Sequence, residues 1–90
     1  MSRVIEVFAD VPQPDGSTAR YSPYWYKRDK CFKVLERSGD ESNKDENAIR
    51  VFTVEELAQK VDEGFAVRMS PDGLSPCRIS PDRITVRRGE

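Results

Sequence analysis

The stretch that decides the fold is VFTVEELAQKVDEGFAVRMS, residues 51–70. Thr53 stands where a helix N-cap is needed, and a glutamate follows three residues later. The threonine hydroxyl can therefore accept a hydrogen bond from the glutamate amide, which is the arrangement of a capping box. Gly64 can adopt the left-handed conformation that ends many helices. The stretch predicts a helix that begins at Val54 and ends at Glu63.

One face of this helix is apolar, and a strand adjoins it on each side. Alternating apolar and polar residues predict strands over residues 49–51 and 65–69, the second of them buried on one face only. A helix of about ten residues is not stable alone in water, so its apolar face must cover a sheet. We therefore predict the α+β class: a small antiparallel or mixed sheet of about five short strands packed against one main helix.

Length and composition indicate a single domain over residues 1–90. Apolar residues make up 37% of the chain and charged residues 34%, a balance that suits a modest core under a well-solvated surface. The net charge of −1 gives no overall attraction to nucleic acid or to an anionic membrane. No apolar run has the length of a membrane span, and the first residues lack the apolar segment of a signal peptide. We expect a cytoplasmic protein without a membrane partner.

Few side chains in this sequence suit catalysis or metal binding. Histidine is absent, which removes the commonest general base near neutral pH and the commonest nitrogen ligand of zinc. Cys31 and Cys77 lack the spacing of metal ligands, and we interpret them as two buried free thiols. No serine has the sequence context of an activated nucleophile, and no glycine-rich phosphate loop occurs. We therefore predict a protein that is not an enzyme and that holds no cofactor or metal.

Residues 22–37 fit two different structures. The aromatic residues at positions 24–26 favour a strand, which the polar run 27–30 would turn into a hairpin. A serine–proline start and the apolar spacing of residues 31–35 favour a helix instead. We favour the hairpin, because the chain needs more strands to cover its helix. The pattern leaves open whether Trp25 lies in the core or on the surface.

Two other segments have clear patterns. Residues 4–9 carry apolar side chains on both faces of a predicted strand, which indicates a strand that is covered on both sides or lies near the sheet centre. Residues 38–47 contain no apolar residue, and we predict a mobile acidic loop there. This segment does not match the pattern of a calcium-binding loop, because Lys44 stands where the pattern needs a carboxylate and Asp45 stands where it needs a glycine.

A short motif occurs twice. Arg-Met-Ser-Pro-Asp at residues 68–72 is echoed by Arg-Ile-Ser-Pro-Asp at residues 78–82. Serine before proline is ordinary turn chemistry, so two similar turns closing neighbouring strands explain the repeat. The alternative is a pair of matched loops that present Arg68 and Arg78 on one face.

Basic and aromatic residues interleave in the stretch from Arg20 to Arg37. Such residues are frequent at protein interfaces, and they can also stack bases beside phosphates. The candidate partner-binding residues are Tyr24, Trp25, Tyr26, Lys27, Arg28, Lys30, Arg68 and Arg78. We predict a small soluble non-catalytic protein-interaction module whose partner is another protein or a second copy in a homodimer. The alternative is a nucleic-acid-binding domain that uses this stretch, which the net acidity disfavours.

Overall fold

The computed structural model describes residues 3–36 and 48–89. The elements in chain order are β1 (Arg3–Pro12), β2 (Thr18–Pro23), β3 (Phe32–Leu35), β4 (Ile49–Val51), α1 (Val54–Asp62), β5 (Ala66–Ser70), β6 (Cys77–Ile79), a 3₁₀ turn (Pro81–Arg83) and β7 (Ile84–Gly89). All pairings in the curled sheet are antiparallel. The mixed class is as predicted, but within the described residues the sheet is larger, with seven strands rather than about five, and the helix is slightly smaller than predicted. The predicted acidic loop, residues 38–47, lies outside the described residues.

Strand β5 lies at the centre of the sheet and is paired along both edges. Val67 lies opposite Val34 of β3 on one side and opposite Ile79 of β6 on the other. Met69 lies between Pro23 of β2 and β6 in the same way. Strand β6 therefore takes one edge of β5, while β3 and β2 share the other edge, one after the other.

The residues between β2 and β3 leave this shared edge and return to it. The amide of Tyr24 still donates to the carbonyl of Arg68 on β5, at 2.9 Å. The chain then turns over residues 27–30, closed by a single bridge between Tyr26 and Cys31, before β3 begins. We call residues 24–31 the arm.

The structure of the arm decides between the hairpin and the helix that the sequence allowed for residues 22–37. The predicted turn at 27–30 is confirmed, and so is a return strand, which spans Phe32–Leu35. The helix alternative is wrong for the described part of this stretch, residues 22–36. The predicted hairpin is otherwise wrong: residues 24 and 25 lie in no strand, and beyond the single bridge β2 and β3 pair with β5 rather than with each other.

The rest of the sheet extends from these pairings. Strand β4 pairs with β3, and β1 lies between β2 and β7, one strand in from the edge of the described sheet. Its position is therefore not central, and it is not covered on both sides. A bulge at Ile5 separates the pairs that Val4 and Glu6 make with β7, and Ile5 is 53% exposed. The extra residue explains the apolar groups on both faces, because it shifts the alternation so that Val4 and Val7 both face the core.

Helix α1 begins and ends where the sequence predicts, to within one residue. The Thr53 hydroxyl accepts from the amide of Glu56 at 3.1 Å, and the helix ends at Asp62 with Glu63 as its C-cap. Gly64 follows with φ of +96°. Phe52, which a hydrophobic staple would pack against the helix, is 56% exposed.

The helix packs on β1 and β3, and its buried residues Leu57, Ala58 and Val61 join the apolar residues of five strands in one core. Arg88 of β7 binds Asp62 at 2.8 Å, which ties the last strand to the helix end.

The burial of β5 differs from the prediction. The sequence predicts one buried face, whereas all five residues of Ala66–Ser70 are buried. Val67 and Met69 face the core under the helix. Arg68, only 2% exposed, lies on the opposite face, which we call the second face. An alternating pattern within five residues cannot predict burial of the second face, because that burial depends on other parts of the chain.

Replacing Gly64 by alanine tests the helix stop. No atom lies within 4 Å of the position of an added Cβ, so the cost comes from the backbone angle alone. We expect the free energy of unfolding to fall by about 1–2 kcal/mol in urea titrations. Gly64→Asn is the matched control and should lose less, because asparagine tolerates positive φ better. Equal stability of all three proteins would contradict this account of the helix end.

Candidate partner-binding site

The aromatic residues of the arm pack edge to face. The rings of Tyr24 and Tyr26 lie 4.9 Å apart with 75° between their planes. Trp25 packs against Phe32 of β3 at 5.0 Å and is 41% exposed. The open question about Trp25 therefore has a definite answer: the indole rests on the edge of the core and presents much of its surface to solvent.

Lys33 fastens the arm to the second face of the sheet. Its Nζ lies 4.2 Å from the centre of the Tyr26 ring and 3.2 Å from the Asp29 carboxylate. The Lys33 side chain is only 11% exposed, so both contacts are shielded from solvent and screening is weak. The candidate residues predicted from the sequence did not include Lys33. The signal that could have indicated it is an acid and a base four residues apart across the predicted turn.

The turn of the arm presents three cations. Lys27, Arg28 and Lys30 are exposed, and within residues 3–36 and 48–89 none of them forms an ion pair. The amide of Lys30 donates to the carbonyl of Tyr26 at 2.7 Å, and Lys30 has φ of +53°. Asp29 is the one acid of the turn, and its charge is already offset by Lys33. The tip of the arm is therefore electropositive.

A groove of about 720 Å³ runs beside the arm. Residues 22–29 and 70–73 line it. In the second stretch, the Ser70 hydroxyl accepts from the amide of Gly73 at 2.9 Å, which fixes the turn after β5. The charged residues of the lining are Lys27, Arg28, Asp29 and Asp72.

The structure divides the predicted site residues into two groups. Tyr24, Trp25, Tyr26, Lys27 and Arg28 line the groove, and Lys30 lies in the adjoining turn. Arg68 and Arg78 are not part of that lining.

The two arginines are cross-strand partners on β5 and β6, so their side chains share the second face, as one interpretation of the repeat predicted. Arg78 donates to the backbone carbonyl of Glu36 at 2.7 Å. The two Ser-Pro-Asp turns lie at opposite ends of this antiparallel pair, so they do not form matched loops.

The cysteines differ in their surroundings. Cys31, the last residue of the arm, is fully buried, as predicted, but Cys77 is exposed, so the prediction of two buried thiols is half wrong. Partial desolvation raises the pKa of the Cys77 thiol, and the nearby charge of Arg68 opposes this shift less strongly. A thiol with a raised pKa carries little thiolate at neutral pH, and it is a poor nucleophile.

The described residues contain neither a metal-binding cluster nor a membrane-spanning helix. Across residues 3–36 and 48–89, no three Cys, Asp or Glu side chains gather as a metal site would require. In the same part of the chain, no helix has the length and apolar character needed to span a membrane.

Comparison of the chain with models of protein families, with curated proteins and with solved structures found no match.

Replacing Arg68 by alanine tests its structural role. Loss of so large a buried side chain leaves a cavity, and we expect the free energy of unfolding to fall by about 2–5 kcal/mol in denaturant titrations. Lys27→Ala removes a cation of the same sign from the exposed turn and should change stability by less than about 0.5 kcal/mol. If both variants were equally stable, Arg68 would not be the buried support described above.

Proposed function

We propose that the protein is a small non-catalytic interaction module that binds a segment of a partner protein in the groove beside the arm. One observation carries the proposal. The arm departs from an edge of β5 that β2 and β3 otherwise occupy in turn, and it holds Trp25 at 41% exposure beside the groove. A large aromatic side chain kept partly in water on an ordered element is typical of a binding anchor.

The order of the arm supports this function. Tyr26 and Asp29 are held by Lys33, and Trp25 rests on Phe32. A surface that is already ordered loses little conformational entropy when a partner binds, so more of the contact energy appears as affinity. The groove volume also falls in the range of sites that hold a small ligand or a short peptide.

The nucleic-acid alternative has less support. Stacking on bases needs open ring faces, but the Lys33 ammonium lies over one face of Tyr26. The groove lining also includes Asp29 and Asp72, and Asp72 would repel a phosphate chain. A mixed lining is better suited to a peptide, which can carry charges of both signs.

The proposal that the module is not catalytic is supported by the ionisable groups of the groove. Its acids are Asp29, which is paired with Lys33, and Asp72. Neither has a neighbouring histidine, because the chain contains none. The cytoplasmic location and the homodimer predicted from the sequence stay predictions.

The test is selection of peptides from a displayed random dodecapeptide library on the folded protein. We expect peptides whose affinity falls at least about tenfold in Trp25→Ala, since a central aromatic anchor contributes about 2 kcal/mol or more. Phe52→Ala is the matched control, because it removes an aromatic ring that is 56% exposed and does not line the groove.

Peptide affinities would be measured by fluorescence anisotropy, after circular dichroism has shown that each variant is folded. Phe52→Ala should change the affinity by less than about twofold. Recovery of no peptide that is sensitive to Trp25→Ala would contradict the proposal.

A further inference from the structure

We propose that the partner segment is an acidic peptide, whose carboxylates contact Lys27, Arg28 and Lys30 next to an apolar side chain that packs on Trp25. This inference rests on the proposed function, because it names the chemistry of the ligand for the same groove.

The charge of the arm supports an acidic ligand. The three cations are exposed and form no ion pair with another residue of 3–36 or 48–89. The only acid among residues 27–30 is Asp29, and its carboxylate is 3.2 Å from the Lys33 ammonium. The turn therefore presents its positive charge to whatever enters the groove. Exposed charges of one sign speed and orient the approach of a ligand of the opposite sign.

The position of Trp25 supports an apolar side chain beside the carboxylates. Trp25 lies two residues before the first of the three cations, and both line the groove. A bound chain that places a carboxylate near Lys27 would therefore have neighbouring side chains within reach of the indole. An aliphatic or aromatic residue there would cover the surface that Phe32 leaves exposed.

Asp72 limits the charge pattern of the ligand. It belongs to the other stretch of the groove lining and lies in the turn after β5. A uniform polyanion would place negative charge against this carboxylate. A peptide avoids the repulsion by carrying its acids at one end and a neutral or basic residue near Asp72. This feature favours an acidic peptide over a nucleic-acid strand.

The experiment compares peptides selected from the same dodecapeptide library on three proteins: the native chain, Lys27→Glu/Arg28→Glu and Arg3→Glu/Arg83→Glu. The last is the matched control, because it makes the same change of net charge at exposed residues that do not line the groove. On the native chain we expect aspartate and glutamate to be enriched about threefold or more beside an aliphatic or aromatic residue.

The groove variant should bind the native-selected peptides roughly tenfold more weakly, whereas the control should bind them within about twofold of the native chain. A fluorescein-labelled oligothymidylate is titrated against the same three proteins. We expect it to bind more weakly than the selected peptides.

The other outcomes overturn the inference in distinguishable ways. Peptides that depend on Trp25 but show no excess of acids would refute the acidic partner and leave the proposed function standing. Failure to select any peptide that depends on Trp25 would refute both. Tight oligothymidylate binding that is lost in Lys27→Glu/Arg28→Glu but kept in the control would assign the cations to nucleic acid instead.

Discussion

Pairing of β5 along both of its edges is the constraint on which the rest of the structure depends. One edge binds β6, and the other binds β3 and then β2, so a strand of five residues joins the two halves of the sheet. All five residues of β5 are buried as well, so its second face is covered like the face that joins the core. Arg68, on the second face, is only 2% exposed.

The geometry of the candidate site follows from that arrangement. Since β2 and β3 occupy the same edge of β5 in succession, the residues between them must leave the sheet, and the arm is the result. Contacts of Lys33 with Tyr26 and Asp29 then hold the arm against the second face. Trp25 and the cations of the turn are therefore presented by a loop on a rigid scaffold, an arrangement that many binding sites share. Arg68 is buried in the sheet, whereas Lys27 is exposed on the turn of the arm, where we propose that it contacts the partner.

Local chemistry explains which features the sequence could predict. The N-cap at Thr53 and the helix stop at Gly64 each depend only on residues within one helical turn of that position. Both predictions are confirmed. Burial of Arg68 depends on parts of the chain outside its own strand, so alternation within that strand indicated the wrong exposure. The predicted strand over residues 49–51 is confirmed as β4, but the prediction of about five strands was too low for the seven strands of the described residues. For the site, composition located the groove-lining aromatics and cations, but it could not separate them from buried Arg68.

Amide hydrogen exchange, followed residue by residue by NMR, tests the central position of β5 most directly. The amides of Val67, Arg68 and Met69 lie in the part of β5 that has neighbouring strands along both edges, so we predict that they exchange only when the whole domain unfolds and are the slowest in the protein. Amides of residues 27–30 should exchange orders of magnitude faster, because local opening of the turn leaves the sheet intact. If the β5 amides exchanged as fast as those of β4, which pairs with β3 alone among the described strands, β5 would not be the element that holds the sheet together.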